Sequence, residues 1–351
     1  MRRLAARLLL IAAAAQSGAP GWADSLRIAT FNTELSRRGP GLLLRDILRG
    51  EDPQVAAVVT VIAAARPDVL VLQGVDWDAE GRTLAALQQR LGEAGAVYPH
   101  RFLRQPNAGL PVEPPLDMDG DGRIGDAGDA QGYGRFRGDG GLAVLSRLPL
   151  REAEAREFSA LLWRDLPGAD LPRHEDGRPF PSSEAQAVQR LSSAAHWLVP
   201  IELPEGGRLN VMAFQAGTPL FDGPEDRNGR RNADEIRLWQ HLLDGALGPA
   251  PEPPFVIAGG ANLDPERGAG RREAIRALLA DPRLQDPRPG SREAGTATVE
   301  WKTAGEMRVD YLLPSAGLSV TGAGVIWPQT PQDAAAMASR HRLVWVDLDL
   351  P

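Results

Sequence analysis

The densest group of potential ligands in the sequence is Asp117-Met118-Asp119-Gly120-Asp121-Gly122-Arg123-Ile124. Asp at the first, third and fifth positions and Gly at the sixth would place oxygen ligands around a sharp turn, as in the first half of a calcium loop. The carbonyl of Arg123 would serve as the seventh position. The twelfth is Gly128 instead of a bidentate acid, with Asp126 and Asp129 close by. Two readings stand side by side: a structural calcium that orders a long loop, or a solvated acidic turn. Without any cysteine, thiol catalysis and cysteine-ligated zinc are excluded.

Other polar clusters have plainer readings. His196, in Ser192-Ser193-Ala194-Ala195-His196-Trp197, is expected to pair inside a sheet, and His241 to sit on a helix. His100 follows Pro99 and has no evident partner. Arg227, Arg230 and Arg231 could grip a phosphate, but Asp222, Glu225, Asp226, Asp234 and Glu235 lie close in sequence and are their expected partners. Gly259-Gly260 lacks the rest of a glycine-rich nucleotide loop.

The elements that must position these groups follow from patterning. Leu26 to Asn32 reads as a strand, and Asp52 to Ala65 as a helix stopped by Arg66-Pro67-Asp68. Proline cannot continue a helix and pushes the residue before it toward extended geometry. Val69 to Gln73 is a continuous apolar run, typical of a strand covered on both faces. Thr83 to Ala94, Asp234 to Leu247 and Arg271 to Ala280 read as helices. Strands are expected at Gly141 to Ser146, near 193–201 and 208–214, at Phe255 to Ala258, at Arg308 to Leu313 and at Leu343 to Leu350. Residues 105–140 are dominated by Pro, Gly and Asp and read as a long loop, with a second irregular stretch at 165–186. Strands with interspersed helices over this length imply one large α/β domain covering 24–351.

Composition narrows the partners. Lys plus Arg is 39 and Asp plus Glu is 46, a formal charge of −7, which argues against tight non-specific binding of nucleic acid while leaving room for a local basic groove. Arg2, Arg3 and Arg7, the apolar run Leu8 to Ala15 and the small residues of Gly21-Trp22-Ala23 read as a secretory signal over 1–23, cut before Asp24. The alternative is a retained anchoring helix. After signal removal no membrane span is expected, and the protein would be periplasmic or extracellular.

Six ordered segments carry a family likeness: Arg27-Ile28-Ala29-Thr30-Phe31-Asn32, Arg66-Pro67-Asp68-Val69-Leu70-Val71-Leu72-Gln73, Gly141-Leu142-Ala143-Val144-Leu145-Ser146-Arg147, Val256-Ile257-Ala258-Gly259-Gly260-Ala261-Asn262, Arg308-Val309-Asp310-Tyr311-Leu312-Leu313 and Ser339-Arg340-His341-Arg342-Leu343-Val344. Together they resemble the DNase I-like endonuclease/exonuclease/phosphatase superfamily. The stretches Phe221 to Asn228, Arg231 to Ile236 and Ile326-Trp327-Pro328 are similar to a bacterial exported subgroup of it. The resemblance implies a four-layer sandwich of two packed mixed sheets flanked by helices, with the site where strands of both sheets end. It also implies metal-dependent phosphoester hydrolysis, in which magnesium or manganese neutralises the phosphoryl oxygens.

By that resemblance Asn32 and Asn262 would position phosphate or water. His341 would be the terminal histidine, oriented by Asp310. Four family positions are substituted: Gly74 stands for the metal-binding glutamate, Gln215 for a mid-chain histidine, Gly260 for the aspartate of the Gly-Asp-x-Asn motif, and Arg340 for the aspartate before the terminal histidine. Losing these carboxylates and adding a fixed positive charge points to impaired catalysis or a pseudoenzyme. Glu34, Asp76 and Asp264 are the candidates for a relocated metal site, with solvated loop carboxylates as the expected alternative. The partner would be a phosphorylated small molecule, a protein held in the old cleft or, if the chain is active, nucleic acid. If the assignments hold, restoring Glu, Asp, Asp and His at 74, 260, 340 and 215 together should recover activity.

Overall fold

The computed structural model describes residues 25–349, so the expected signal and its cut site lie outside the described residues. Two sheets and their flanking helices form four layers. In spatial order, the first sheet is β12 (Ser319–Val325), β13 (Val344–Asp349), β1 (Ser25–Asn32), β2 (Val69–Val75), β4 (Gly141–Ser146) and β3 (His100–Phe102). The second is β11 (Asp310–Pro314), β8 (Phe255–Gly260), β7 (Arg208–Gln215), β6 (Ala195–Glu202) and β5 (Arg156–Glu157). Both are mixed: β1 runs parallel to β2, β7 runs parallel to β8, and the other neighbours are antiparallel. A hairpin of β9 (Val299–Trp301) and β10 (Gly305–Met307) stands apart.

The apolar run of β2 explains its central place. Side chains alternate along a strand, so Val69 and Val71 enter the inter-sheet core while Leu70 and Leu72 pack outward under helices. The inter-sheet layer also holds Ile28, Val144 and Val346 from the first sheet and Trp197, Val211 and Ala258 from the second. Each fully buried aliphatic side chain contributes about 1.5–3 kcal/mol. Helices α1 (Leu42–Arg49), α2 (Pro53–Ala65), α3 (Arg82–Glu93) and α7 (Ala334–Ala338) supply residues to the outer core of the first sheet. Asp52 caps α2 by accepting from Val55 N at 2.9 Å, Pro53 sits at its first position, and Arg66 ends it at φ 51°. Helices α5 (Arg227–Leu243) and α6 (Glu273–Leu279) cover the second sheet, and α4 (Ser183–Val188) lies in the second irregular stretch.

The helix expected at 234–247 begins earlier, at Arg227, and ends at Leu243. Its first turns are polar in type but buried, because Arg227, Arg231 and Asn232 spend their donors internally. Gly245, at φ 77°, turns the chain away. Within 105–140 the regular structure is a single 3-10 turn, Ala127–Asp129. Buried Asn107 ties that loop down, donating to the carbonyls of Ser159 at 2.7 Å and Ser192 at 2.8 Å. No helix among the described residues is long and apolar enough to cross a membrane.

Candidate functional site

At one end of the sandwich, strand termini of both sheets meet. Asn32 closes β1 in register with Gln73, and Gln215 closes β7 in register with Gly260, which in turn pairs with Asp310. His341 precedes β13 and bridges to Val299. The structure thus brings Asn32, Gly74, Gln215, Gly260, Asp310 and His341 to one place.

The histidine and aspartate form a buried dyad. His341 Nδ1 lies 2.8 Å from Asp310 Oδ2, which also accepts from Thr298 Oγ1 at 2.9 Å. With Nδ1 directed at Asp310, Nε2 faces Asn32 Nδ2 at 3.5 Å. Trp301 packs edge-on to the imidazole with ring centroids 5.3 Å apart. Asp310 Oδ1 and Gln215 Oε1 are both buried without a donor. Both lie against Gly260, where an added Cβ would stand 2.3 Å from Gln215 Oε1 and 3.2 Å from Asp310 Oδ1. The Gln215 amide therefore crowds the space that a side chain at 260 would enter. Asn262, in left-handed backbone at φ 51°, donates from Nδ2 to Ala216 O at 2.8 Å.

Gly74 sits in a bulge of β2 at φ 70°. A Cβ there would meet Asn32 Oδ1 at 2.7 Å and Glu34 N at 2.9 Å. Restoring glutamate is therefore not a simple exchange, since Asn32 and the Glu34 backbone would have to shift to admit it. Gly74→Glu is expected to lower unfolding stability in urea by about 1–3 kcal/mol, the range for a non-glycine residue held in left-handed backbone. An unchanged denaturation midpoint would contradict this.

Of the three carboxylates considered as relocated ligands, Asp76 and Asp264 are buried and Glu34 is half-buried, and each is already hydrogen-bonded. Glu34 accepts from Arg340 N and Arg340 Nε, each at 2.8 Å, from a second guanidinium nitrogen, and from Ser339 Oγ at 3.0 Å. Burial pushes its pKa up, but the hydrogen bonds and charge of Arg340 outweigh this and hold it below the usual glutamate value. Buried Asp264 accepts from Glu266 N at 2.7 Å, Arg267 N at 2.8 Å and Arg308 N at 2.7 Å, so it closes a turn. Buried Asp76 accepts from Arg37 N at 3.0 Å and Gly140 N at 3.2 Å.

Burial pushes the Asp76 carboxyl up to about 7, against the opposing pull of its backbone donors. A raised acid pKa means that the folded state holds a proton the unfolded state has lost. Its contribution to stability is therefore lost as pH rises from about 4 toward 7. Asp76→Asn is expected to flatten the fall in melting temperature over that window. A variant whose melting temperature keeps the wild-type slope would contradict the assignment.

Among the described residues, the one group of at least three His, Asp or Glu with ligand atoms within 4.8 Å of one another is Asp117, Asp119 and Asp129. Asp121 and Asp126 fall outside it and, like its members, accept from backbone N–H groups, those of Arg123 and Gly128, each at 2.7 Å. Burial and the neighbouring Asp121, Asp126 and Asp129 charges raise the Asp119 pKa. No comparable set surrounds Asn32 and His341, so the residues there do not fit a divalent catalytic ion held by carboxylates.

The arginines expected to pair with nearby acids do otherwise. Arg230 pairs with Asp170, and Arg231 donates to the carbonyls of Leu191 at 2.8 Å, Arg190 at 2.8 Å and Ser192 at 3.1 Å. Arg227 donates to Gln189 Oε1 at 2.8 Å. Asp226 and Asp234 are taken by Arg271 and Arg237. His196 lies between Ser192 Oγ at 2.7 Å and Glu235 O at 3.0 Å, and burial pushes its pKa down to about 3, so the ring is neutral and structural. The sequence reading missed Thr298, Ser339 and Trp301, whose types carry no spacing signal; only the fold places them around His341.

Solved structures share this fold. An endonuclease/exonuclease/phosphatase from Beutenbergia cavernae is 20% identical with a TM-score of 0.57, covering 93% of this chain and 72% of that one. A family protein from Leptotrichia buccalis is 17% identical with a TM-score of 0.54, covering 93% and 100%. Another, from Bacteroides vulgatus, is 13% identical with a TM-score of 0.53, covering 93% and 99%. At such identities the likeness shows the fold alone. No curated protein sequence matches the chain significantly. The model of the Endonuclease/Exonuclease/phosphatase family matches residues 29–341, nearly the whole described chain. The chain belongs to the endonuclease/exonuclease/phosphatase family.

Proposed function

We propose that this is an exported, catalytically impaired member of the family, akin to its bacterial exported subgroup, that holds a phosphorylated ligand in the old cleft without a divalent cation. The observation that carries this reading is the Glu34–Arg340 pair: the one glutamate beside Asn32 is occupied by a guanidinium fork. Arg340 lies over Trp301 with its guanidinium carbon 4.5 Å from the ring centroid, which fixes the charge next to His341. Nε and one Nη of Arg340 are taken by Glu34, which leaves the outer Nη edge of the planar group to meet phosphate oxygens. In this reading Arg340 supplies the charge, and Asn32, Asn262 and His341 complete the hydrogen-bonding wall, with Asp310 orienting the imidazole. The bound species is a phosphorylated small molecule or a partner's phosphate, taken up in the periplasm or outside the cell by a single domain spanning 24–351.

The test is hydrolysis of a phosphodiester, a phosphomonoester and DNA by the mature chain, with magnesium, manganese or calcium and with chelator. Turnover at background throughout, with thermal stabilisation by phosphate, is the expected result. Chelator-sensitive turnover would instead establish an active phosphoesterase. Absence of both turnover and any response to anions would favour a purely structural or interaction role.

The acidic loop supports a second, separate reading, a structural calcium held by Asp117, Asp119 and Asp129. Three carboxylates within ligand distance suit a hard cation with oxygen ligands. Millimolar calcium is expected to raise the melting temperature by several degrees, and Asp119→Asn combined with Asp129→Asn to remove the rise. No shift with the wild-type protein would contradict the calcium site.

A further inference from the structure

The two most exposed large apolar side chains among the described residues, Phe221 (91%) and Tyr133 (75%), line the same cavity, of about 950 Å³. It opens between the acidic loop and the segment joining β7 to α5, with Gln215 and Asn262 in its wall. Aromatic side chains at such exposure are costly to leave in water and commonly mark a binding surface.

The charges around this cavity have one dominant sign. Asp119, Asp121, Asp222 and Glu225 line it. Their carboxylates accept from backbone N–H groups of Asp121, Arg123, Asn228 and Gly223. None of the four forms an ion pair among the described residues. The two lining cations are buried: Arg227, against Gln189 and Asn228, offsets only part of the charge of Asp119, Asp222 and Glu225, and Arg231 is buried against backbone carbonyls. A cleft lined by one sign of charge focuses its field toward the opening. A cation near these carboxylates gains both from their charge and from the faces of aromatic rings.

We propose that this cavity binds an organic cation, an ammonium group on an aromatic or aliphatic body, with its charge among Asp119, Asp121, Asp222 and Glu225 and its body against Tyr133 and Phe221. This goes beyond the phosphate reading and does not rest on it: Asn262 is common to both walls, but Arg340, Asn32 and His341 do not line the cavity.

Three probes of one size separate charge from shape: benzylamine, benzyl alcohol and benzoate, titrated into the full chain in chelator so that no calcium occupies Asp119. Benzylamine is expected to bind about tenfold or more tighter than benzyl alcohol, with benzoate weakest and the preference shrinking in high salt. Asp121→Asn combined with Asp222→Asn should erase the preference for the amine, while Phe221→Ala should weaken amine and alcohol together. These side chains are at the surface or hydrogen-bonded only locally, so the variants should fold, which circular dichroism checks. Equal binding of amine and alcohol, tighter binding of benzoate, or no binding of any probe overturns the proposal. Phosphate binding at Arg340 would be unaffected by either outcome.

Discussion

Arg340→Met is expected to abolish the thermal stabilisation by phosphate and to weaken phosphate binding by roughly ten- to a hundredfold, the range for losing hydrogen bonds to a charged group. Methionine keeps much of the length and apolar bulk that lies over Trp301, so the loss reports the guanidinium instead of the packing. Arg340→Lys should fall between the two, because an ammonium keeps the charge but lacks the planar fork that meets two oxygens at once. The same change leaves Glu34 without its partner. Its pKa should then rise, since burial is the largest influence on it and Arg340 is what offsets that influence. Retained phosphate affinity in Arg340→Met would remove the cation from the account of the site.

The second large effect concerns the dyad. His341→Ala is expected to destabilise the fold by about 1–3 kcal/mol, the range for leaving a buried hydrogen-bonding group without its partner. Asp310 is 1% exposed, and the variant would leave its carboxylate with Thr298 Oγ1 and two backbone N–H groups drawn to that same hydroxyl instead of to the acid. Its Oδ1 already lacks a donor. His341→Gln, which can still present an N–H toward Asp310, should recover part of the loss. Urea unfolding of the three proteins measures this. A His341→Ala protein as stable as wild type would mean that the hydrogen bond to Asp310 contributes nothing to the fold.

Much of the fold was legible because the decisive segments are apolar runs with clear stops. Val69 to Gln73, bounded by Pro67, could hardly be other than a covered strand, and Gly141 to Ser146 was read with its observed bounds. The early start of α5 was hidden because Arg227, Arg231 and Asn232 look like surface residues; their burial depends on carbonyls and amides distant in sequence. The short strands β3, β5, β9 and β10 carry two or three residues each and leave no period to detect. Strand β12, interrupted by Gly322 and Gly324, falls to the same difficulty.

At the site, sequence order named the residues that the fold gathers: Asn32, Gly74, Gln215, Gly260, Asp310 and His341. It did not reveal where the spare carboxylates go. Asp264 is two residues past Asn262, yet it turns to cap backbone N–H groups, and Asp76 does likewise. Glu34 and Arg340 lie 306 positions apart, so their pairing had no local signature. Nor could spacing show that Gly74 adopts left-handed backbone, which makes the glycine a structural commitment.

The most direct measurement of the central claim is a calorimetric titration of inorganic phosphate into the mature chain, with and without chelator. The same dissociation constant in both conditions is the expected result, because the charge that meets the phosphate is covalently part of the protein. Phosphate binding that appears only when magnesium or manganese is added, and vanishes with chelator, would show that a metal still does that work.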